Sequence, residues 1–168
     1  RGLLLLPGVI DPQVHFREPG ATHKEDLSSG SRAAVRGGVT SFLEMPNCNP
    51  PTTNQAQLDW KLASAERRSV ANFGFFIGAS KDNLEALNPA HPACGIKIFM
   101  GTSTGGLLID DEDLLDTIFA TGDRLIAVHA EDETRIRERS SLFLDAGNDR
   151  PSYEVHSQIR DPETALIA

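Results

Sequence analysis

Apolar positions along the chain follow two alternating periodicities. Short apolar runs bounded by turn residues recur at 9–15 (VIDPQVH), 39–45 (VTSFLEM), 73–78 (FGFFIG), 94–101 (CGIKIFMG) and 124–132 (RLIAVHAED). Each reads as a strand. Segments of helical spacing lie between them. In 24–38, Leu27, Ala34 and Val35 share one side and glycines close the segment. Asn54 is placed to cap a helix over 55–69, where Leu58, Leu62 and Ala65 keep an i, i+4, i+7 spacing. DNLEAL (82–87) reads as a short helix, and 110–122 as a helix with an acidic first turn and a terminal glycine. Residues 133–143 and 162–168 read as two more.

Strands separated by helices imply βα units and a parallel sheet. A doubly wound sheet and a βα barrel both satisfy this pattern. A complete barrel needs about eight units and typically about 250 residues, whereas five strands fit in these 168 residues. The polar residues discriminate. His15 closes the first strand, Asn47 follows the second, Lys97 lies in the fourth and His129 ends the fifth. Functional groups at the C-terminal ends of several strands are the barrel pattern. The turn after the first strand, FREPG, has a single glycine and is no dinucleotide-binding fingerprint.

Lys97 is the most informative of these residues. It sits in the apolar run Gly95-Ile96-Lys97-Ile98-Phe99-Met100, where alternation puts it on one face with Phe99. Both faces of a barrel strand are buried, so an unpaired ammonium there is costly and must be paired, neutralised or modified. Carbamylation by CO₂ would convert the amine into an anionic group able to bridge two divalent cations. The plainer alternative is a strand-end lysine with a buried stem and a solvated head. His15 and His129 could each be a hydrogen-bonded core histidine. Together at strand ends, with Lys97 between them in sequence, they point to a metal site, and imidazole suits zinc. Arg17 is placed to hold a substrate carboxylate, the alternative being a surface pair with Glu18 or Glu25. Asn47 offers a donor and an acceptor, or is simply a turn residue. His23, His91 and His156 lie in polar, turn-rich surroundings and read as surface residues.

Composition narrows the partners. Lys+Arg is 16 and Asp+Glu is 24, a formal net charge of −8, which argues against nucleic acid or an anionic membrane as partner. No apolar run approaches the roughly 18 residues of a membrane span. RGLLLLPG is too short for a signal peptide. Cys48 and Cys94 have no metal or disulfide spacing, consistent with thiols in a reducing cytoplasm.

The order DPQVHFREPG, HKEDLSSGSRAAVRGGVTSFLEMPNCNPPT, GIKIFMG and AVHAED resembles the dihydroorotases of the cyclic amidohydrolase family, over roughly residues 7–168. Allantoinases and hydantoinases are the nearer alternatives. Allantoinases tend to carry Glu-Gly where Lys24-Glu25-Asp26 stands here, and hydantoinases share the strand-four lysine but lack HFREPG. The resemblance implies an α/β fold, a partial (β/α)8 TIM-type barrel of about the first five βα units. Residues 1–8 would be the end of an N-terminal β segment and 9–168 the partial barrel. It implies reversible hydrolysis and cyclisation between dihydroorotate and N-carbamoyl-L-aspartate in pyrimidine synthesis, with one or two zinc ions per full-length chain. His15, Lys97 (as an N6-carboxylysine) and His129 fall on metal ligands. His15, Arg17 and Asn47 fall on substrate-binding positions. A cytoplasmic location and either a homo-oligomer or association with aspartate transcarbamoylase are further implications.

Two departures stand out. Gln13 occupies the place of the first histidine of the family's HxH pair. A glutamine carbonyl is a poorer zinc ligand, so one metal position is expected to be weakened. A non-catalytic scaffold subunit is the alternative that Gln13 keeps open. The family's strand-six histidine and its strand-eight general acid/base aspartate are expected beyond residue 168. These 168 residues alone are therefore expected to be inactive, and unstable through exposed strand edges.

Overall fold

The computed structural model describes residues 2–101, 106–121, 123–144 and 151–168. Five strands, β1 (Val9–Val14), β2 (Val39–Glu44), β3 (Asn72–Gly78), β4 (Gly95–Phe99) and β5 (Ile126–His129), form one sheet in the order β1-β2-β3-β4-β5. All four pairings are parallel. The helices are α1 (Leu27–Arg36), α2 (Gln55–Arg68), α3 (Leu84–Leu87), α4 (Glu112–Thr121), α5 (Glu133–Phe143), α6 (Tyr153–Ile159) and α7 (Pro162–Ile167). Sequential parallel order with an intervening helix each time is half of a βα barrel, as expected from the sequence.

Register assigns the two faces. Phe42 pairs with Phe73, Glu44 with Phe75, Ile77 with Ile96, and Ile98 with Val128. This row lies on the helix side. The main hydrophobic cluster joins Phe42, Phe75, Ile77, Ile96 and Ile98 to Leu27 of α1, Leu58 and Ala65 of α2, and Ile118 of α4. Burying each such side chain fully contributes about 1.5–3 kcal/mol relative to exposure. The opposite row carries Leu43, Phe76, Gly78, Lys97 and Phe99, with Ala127 and His129 in register beside the last two. This row faces the concave side.

Several elements differ from the sequence expectation. The first helix begins at Leu27, because Asp26 accepts from the Ser29 backbone N–H at 2.8 Å and caps it. Its buried face is Leu27, Gly30 and Ser31, and Val35 is 44% exposed. A Cβ at Gly30 would meet the Phe16 ring at 2.7 Å, so the helix turns its smallest residue toward that ring. Phe16 in turn packs edge-on to Phe42, with centroids 4.8 Å apart. The fifth strand is shorter than expected, since Asp132 already caps α5 through the Arg135 N–H at 2.6 Å. Helix α6 was not foreseen. Gly122, expected to close α4, lies outside the described residues. His23, His91 and His156 are exposed, as read from the sequence.

Neither thiol is in a disulfide. Burial pushes the Cys94 thiol up to about 11 from its ordinary 9.0. At pH 8 its thiolate should be about 100-fold scarcer than in an unfolded chain. Iodoacetamide should alkylate native Cys94 slower by that factor, and equal rates in native and urea-unfolded protein would contradict the burial.

Candidate active site

Of the polar residues singled out in the sequence, His15, Asn47 and His129 lie at the C-terminal ends of their strands, and Lys97 is in the middle of β4. His15 follows β1 directly, whose last residue, Val14, pairs with Glu44 and accepts from the Met45 N–H at 3.0 Å. Asn47 lies just beyond β2. The His15 Nδ1 lies 2.8 Å from Asn47 Oδ1. A carbonyl oxygen only accepts, so Nδ1 carries the proton and Nε2 keeps its lone pair. Burial holds the His15 imidazole below its usual range; the hydrogen bond to Asn47 opposes this, and the charges of Arg17, Lys97 and Lys61 add to it. A neutral imidazole is the form that binds a metal.

Lys97 is 1% exposed, so its head does not reach solvent as the plainer alternative required. It is flanked in register by Gly78 and Ala127, neither of which offers a side-chain partner. Its Nζ sits 5.0 Å over the Phe99 ring, and among the described residues no carboxylate pairs with it. Burial lowers its pKa, favouring the neutral amine.

His129 pairs in register with Phe99 and places its ring 6.2 Å from that ring. Its Nε2 lies 2.6 Å from Glu131 Oε2, and Glu131 is also hydrogen-bonded by Arg160. Burial raises the Glu131 carboxyl, but the bonds from Arg160 and His129 outweigh this and hold it below the usual range. An ionised Glu131 fixes the proton on Nε2 and leaves the His129 Nδ1 lone pair available. Gly101 packs against Glu131, and a Cβ there would meet the Glu131 Cβ at 2.7 Å.

Arg17 makes no ion pair among the described residues. The carboxylates named as its surface alternatives are engaged elsewhere, Glu18 with Arg68 and Glu25 with Ser29. Arg17 adopts φ 62°, a conformation a non-glycine residue seldom takes. With Lys24, Asn47 and Asn49 it lines a cavity of about 420 Å³. This is a basic, amide-rich recess suited to an anionic group. Gln13 is exposed on the edge strand, at an irregularity where Pro12 and Gln13 fall between the paired residues Asp11 and Val14; its N–H donates to Asp11 at 3.0 Å.

Sequence reasoning missed Glu18, Glu44, Lys61, Glu131 and Arg160. Glu44 ends an apolar strand and Lys61 falls on the buried face of α2 between Leu58 and Leu62. Each breaks an apolar pattern, which was the available signal.

No three His, Cys, Asp or Glu side chains cluster as a metal site among the described residues. The donor set is nonetheless the right kind for a divalent cation: two imidazoles each with one nitrogen held by a partner and one open, and a buried amine without a carboxylate.

Half a barrel of parallel strands with polar groups at their C-terminal ends is the amidohydrolase architecture. The L-hydantoinase (dihydropyrimidinase) of Arthrobacter aurescens superposes with a TM-score of 0.87 at 28% identity, over 96% of this chain and 37% of that one. The chain belongs to the dihydro-orotase-like family, whose model matches residues 2–88. It is 40% identical over 166 residues to the dihydroorotase of Methanosarcina acetivorans, covering 95% of this chain and 34% of the relative. It is 43% identical over 137 residues to the multifunctional protein CAD of Squalus acanthias, covering 79% of this chain and 6% of that protein. The chain thus spans about a third of the length of the dihydroorotase it matches.

Proposed function

We propose that this chain is the first five βα units of a dihydroorotase, with residues 1–8 ending an N-terminal β segment and 9–168 forming the partial barrel. The reaction is the reversible hydrolysis of dihydroorotate to N-carbamoyl-L-aspartate. The observation that carries this reading is the recess shared by Arg17 and Asn47 immediately beside His15. Arg17 would hold the substrate carboxylate, and Asn47 would bind it while keeping the His15 tautomer. Zinc, one or two ions, would be held by His15 through Nε2, by Lys97 as a carbamate and by His129 through Nδ1. When bound, zinc supplies Lewis acidity and lowers the pKa of a water. Gln13 is a doubtful ligand, because a glutamine carbonyl is a poorer zinc donor than imidazole, and it favours occupancy of one position over two. It also supports a second reading, a non-catalytic dihydroorotase-like subunit that assembles with aspartate transcarbamoylase or with itself. Among the described residues no helix is long and apolar enough to cross a membrane, in keeping with a cytoplasmic enzyme.

The test is metal analysis and turnover of the full-length protein. One or two zinc per chain with hydrolysis of dihydroorotate is expected. Turnover of allantoin or hydantoins alone would replace this reading with the allantoinase or hydantoinase one. Metal-free, inactive protein that binds a transcarbamoylase would establish the scaffold.

A further inference from the structure

His129 is held by a carboxylate, and the carboxylate is held in turn. Glu131 Oε2 lies 2.6 Å from His129 Nε2 and also accepts from Arg160 Nη1. One oxygen therefore serves both partners. Gly101, just after β4, leaves the space that this carboxylate occupies, since a Cβ there would stand 3.3 Å from Oε2. Arg160 itself comes from far along the chain, directly after α6, and is only partly exposed.

The segment that carries Arg160 is fastened without help from Glu131. Asp161, the next residue, caps α7 and accepts two hydrogen bonds from Arg135 of α5, at 3.0 and 2.7 Å, with Arg139 at 3.3 Å. The carbonyl of Thr164, a buried residue of α7, accepts the Asp132 N–H at 2.8 Å. These contacts tie α7 to the start of α5 and carry Arg160 to a fixed place beside the end of β5. The bond from Arg160 to Glu131 is additional to what joins the helices, so its effect falls on His129. A guanidinium only donates and a carboxylate only accepts. Both Arg160 and the imidazole must therefore converge on oxygen, and the ring is turned so that Nδ1 stays open.

We propose that Arg160 is a positioning residue for His129, acting through Glu131. It draws the accepting oxygen to one place, and that oxygen sets the orientation of the imidazole. The zinc part of the test rests on reading His129 as a ligand of a dihydroorotase; the tautomer part does not.

Exchanging Glu131 for glutamine exposes the dependence, because an amide can face His129 with either end. Metal-free, full-length protein labelled at the histidine ring nitrogens is compared by NMR at pH 8, where imidazole is neutral. Wild type and Arg160→Met should both keep the His129 proton on Nε2, since a carboxylate only accepts. Glu131→Gln should do the same, because Arg160 keeps the amide oxygen turned toward itself and so toward His129. In Glu131→Gln/Arg160→Met the amide is free to turn. The share of His129 protonated at Nδ1 should then rise about 3-fold or more, the worth of one hydrogen bond. Zinc affinity, read by chelator competition, should fall about 10-fold in Arg160→Met and about 100-fold in the double variant, the scale of losing a partner that orients a ligand. Arg160→Lys should recover it to within about 3-fold. Arg137→Met removes an arginine that pairs with Glu133 and Asp110 and should move neither readout. All variants should melt within a few degrees of wild type, because the Asp161 and Thr164 contacts remain. If methionine at 160 prevents folding, alanine makes the same comparison. An equal Nδ1–H share in Glu131→Gln with and without Arg160 would overturn the proposal, and so would an equal loss of zinc in Arg137→Met. If wild-type protein binds no zinc or does not turn over dihydroorotate, the functional reading falls and the tautomer comparison alone decides the positioning role.

Discussion

Lys97→Met should abolish activity and metal binding in the full-length protein while leaving the melting temperature unchanged or higher. The stability half follows from burial: Lys97 is 1% exposed, its amine has no carboxylate partner among the described residues, and burial already disfavours its charge. Methionine keeps the stem volume and removes the polar head, a change that costs little where the head is not an ion-pair partner. The functional half follows from the reading of Lys97 as the bridging carbamate. Without it, the cation would lose its bridging anionic ligand and be left largely to neutral imidazoles, which hold zinc weakly. Activity should drop by about 10³-fold or more, the scale of losing a metal's contribution to a barrier. Zinc content and dihydroorotate hydrolysis measured on one preparation settle it. A Lys97→Met protein with wild-type zinc and turnover would remove Lys97 from the site, and one that fails to fold would show that the lysine is structural.

Lys61→Met alone should be among the most destabilising single changes, at about 3–5 kcal/mol near neutral pH, because it leaves the Glu44 carboxylate buried without its cation. The effect should depend on pH in a defined direction. Burial already raises the Glu44 carboxyl above its ordinary 4.5, and Lys61 opposes that shift. With Lys61 gone the folded-state pKa rises further. The folded protein then retains a proton that the unfolded chain releases near 4.5, so stability falls as pH rises from that value up to the folded pKa. The variant should approach wild-type stability in mild acid and lose it toward pH 7. Denaturant midpoints at pH 5 and pH 7 measure this, and a Lys61→Met protein equally stable at both would show that Glu44 ionises there as it does in the unfolded chain and needs no cation beside it.

The strands were legible because each is an apolar run of about the right length between turn residues, and parallel order followed from the helices between them. Placement of His15, Asn47 and His129 at one edge was legible for the same reason: strand ends in a parallel sheet share a side. Other features depended on tertiary contact. Val35 matched the helical spacing of Leu27, but packing of Gly30 on Phe16 rotated the helix and left Val35 outside. In α6, Tyr153 and Val155 are exposed or half-buried and Ile159 alone is buried, so its apolar pattern is faint. Glu44 and Lys61 interrupt the apolar patterns of a strand and a helix, but only the assembled layers bring the carboxylate of β2 to the ammonium of α2.

The two faces of the sheet have separate duties. The main hydrophobic cluster lies between sheet and helices, whereas His15, Lys97 and His129 belong to the concave side. A substitution at one of these three residues would therefore leave the main hydrophobic cluster intact. Gln13 is absent from that cluster as well, so exchanging histidine and glutamine there would change donor chemistry without removing a side chain from the packed layer. A scaffold so divided would let donor residues on the concave side change one at a time while the helix-side packing stays intact.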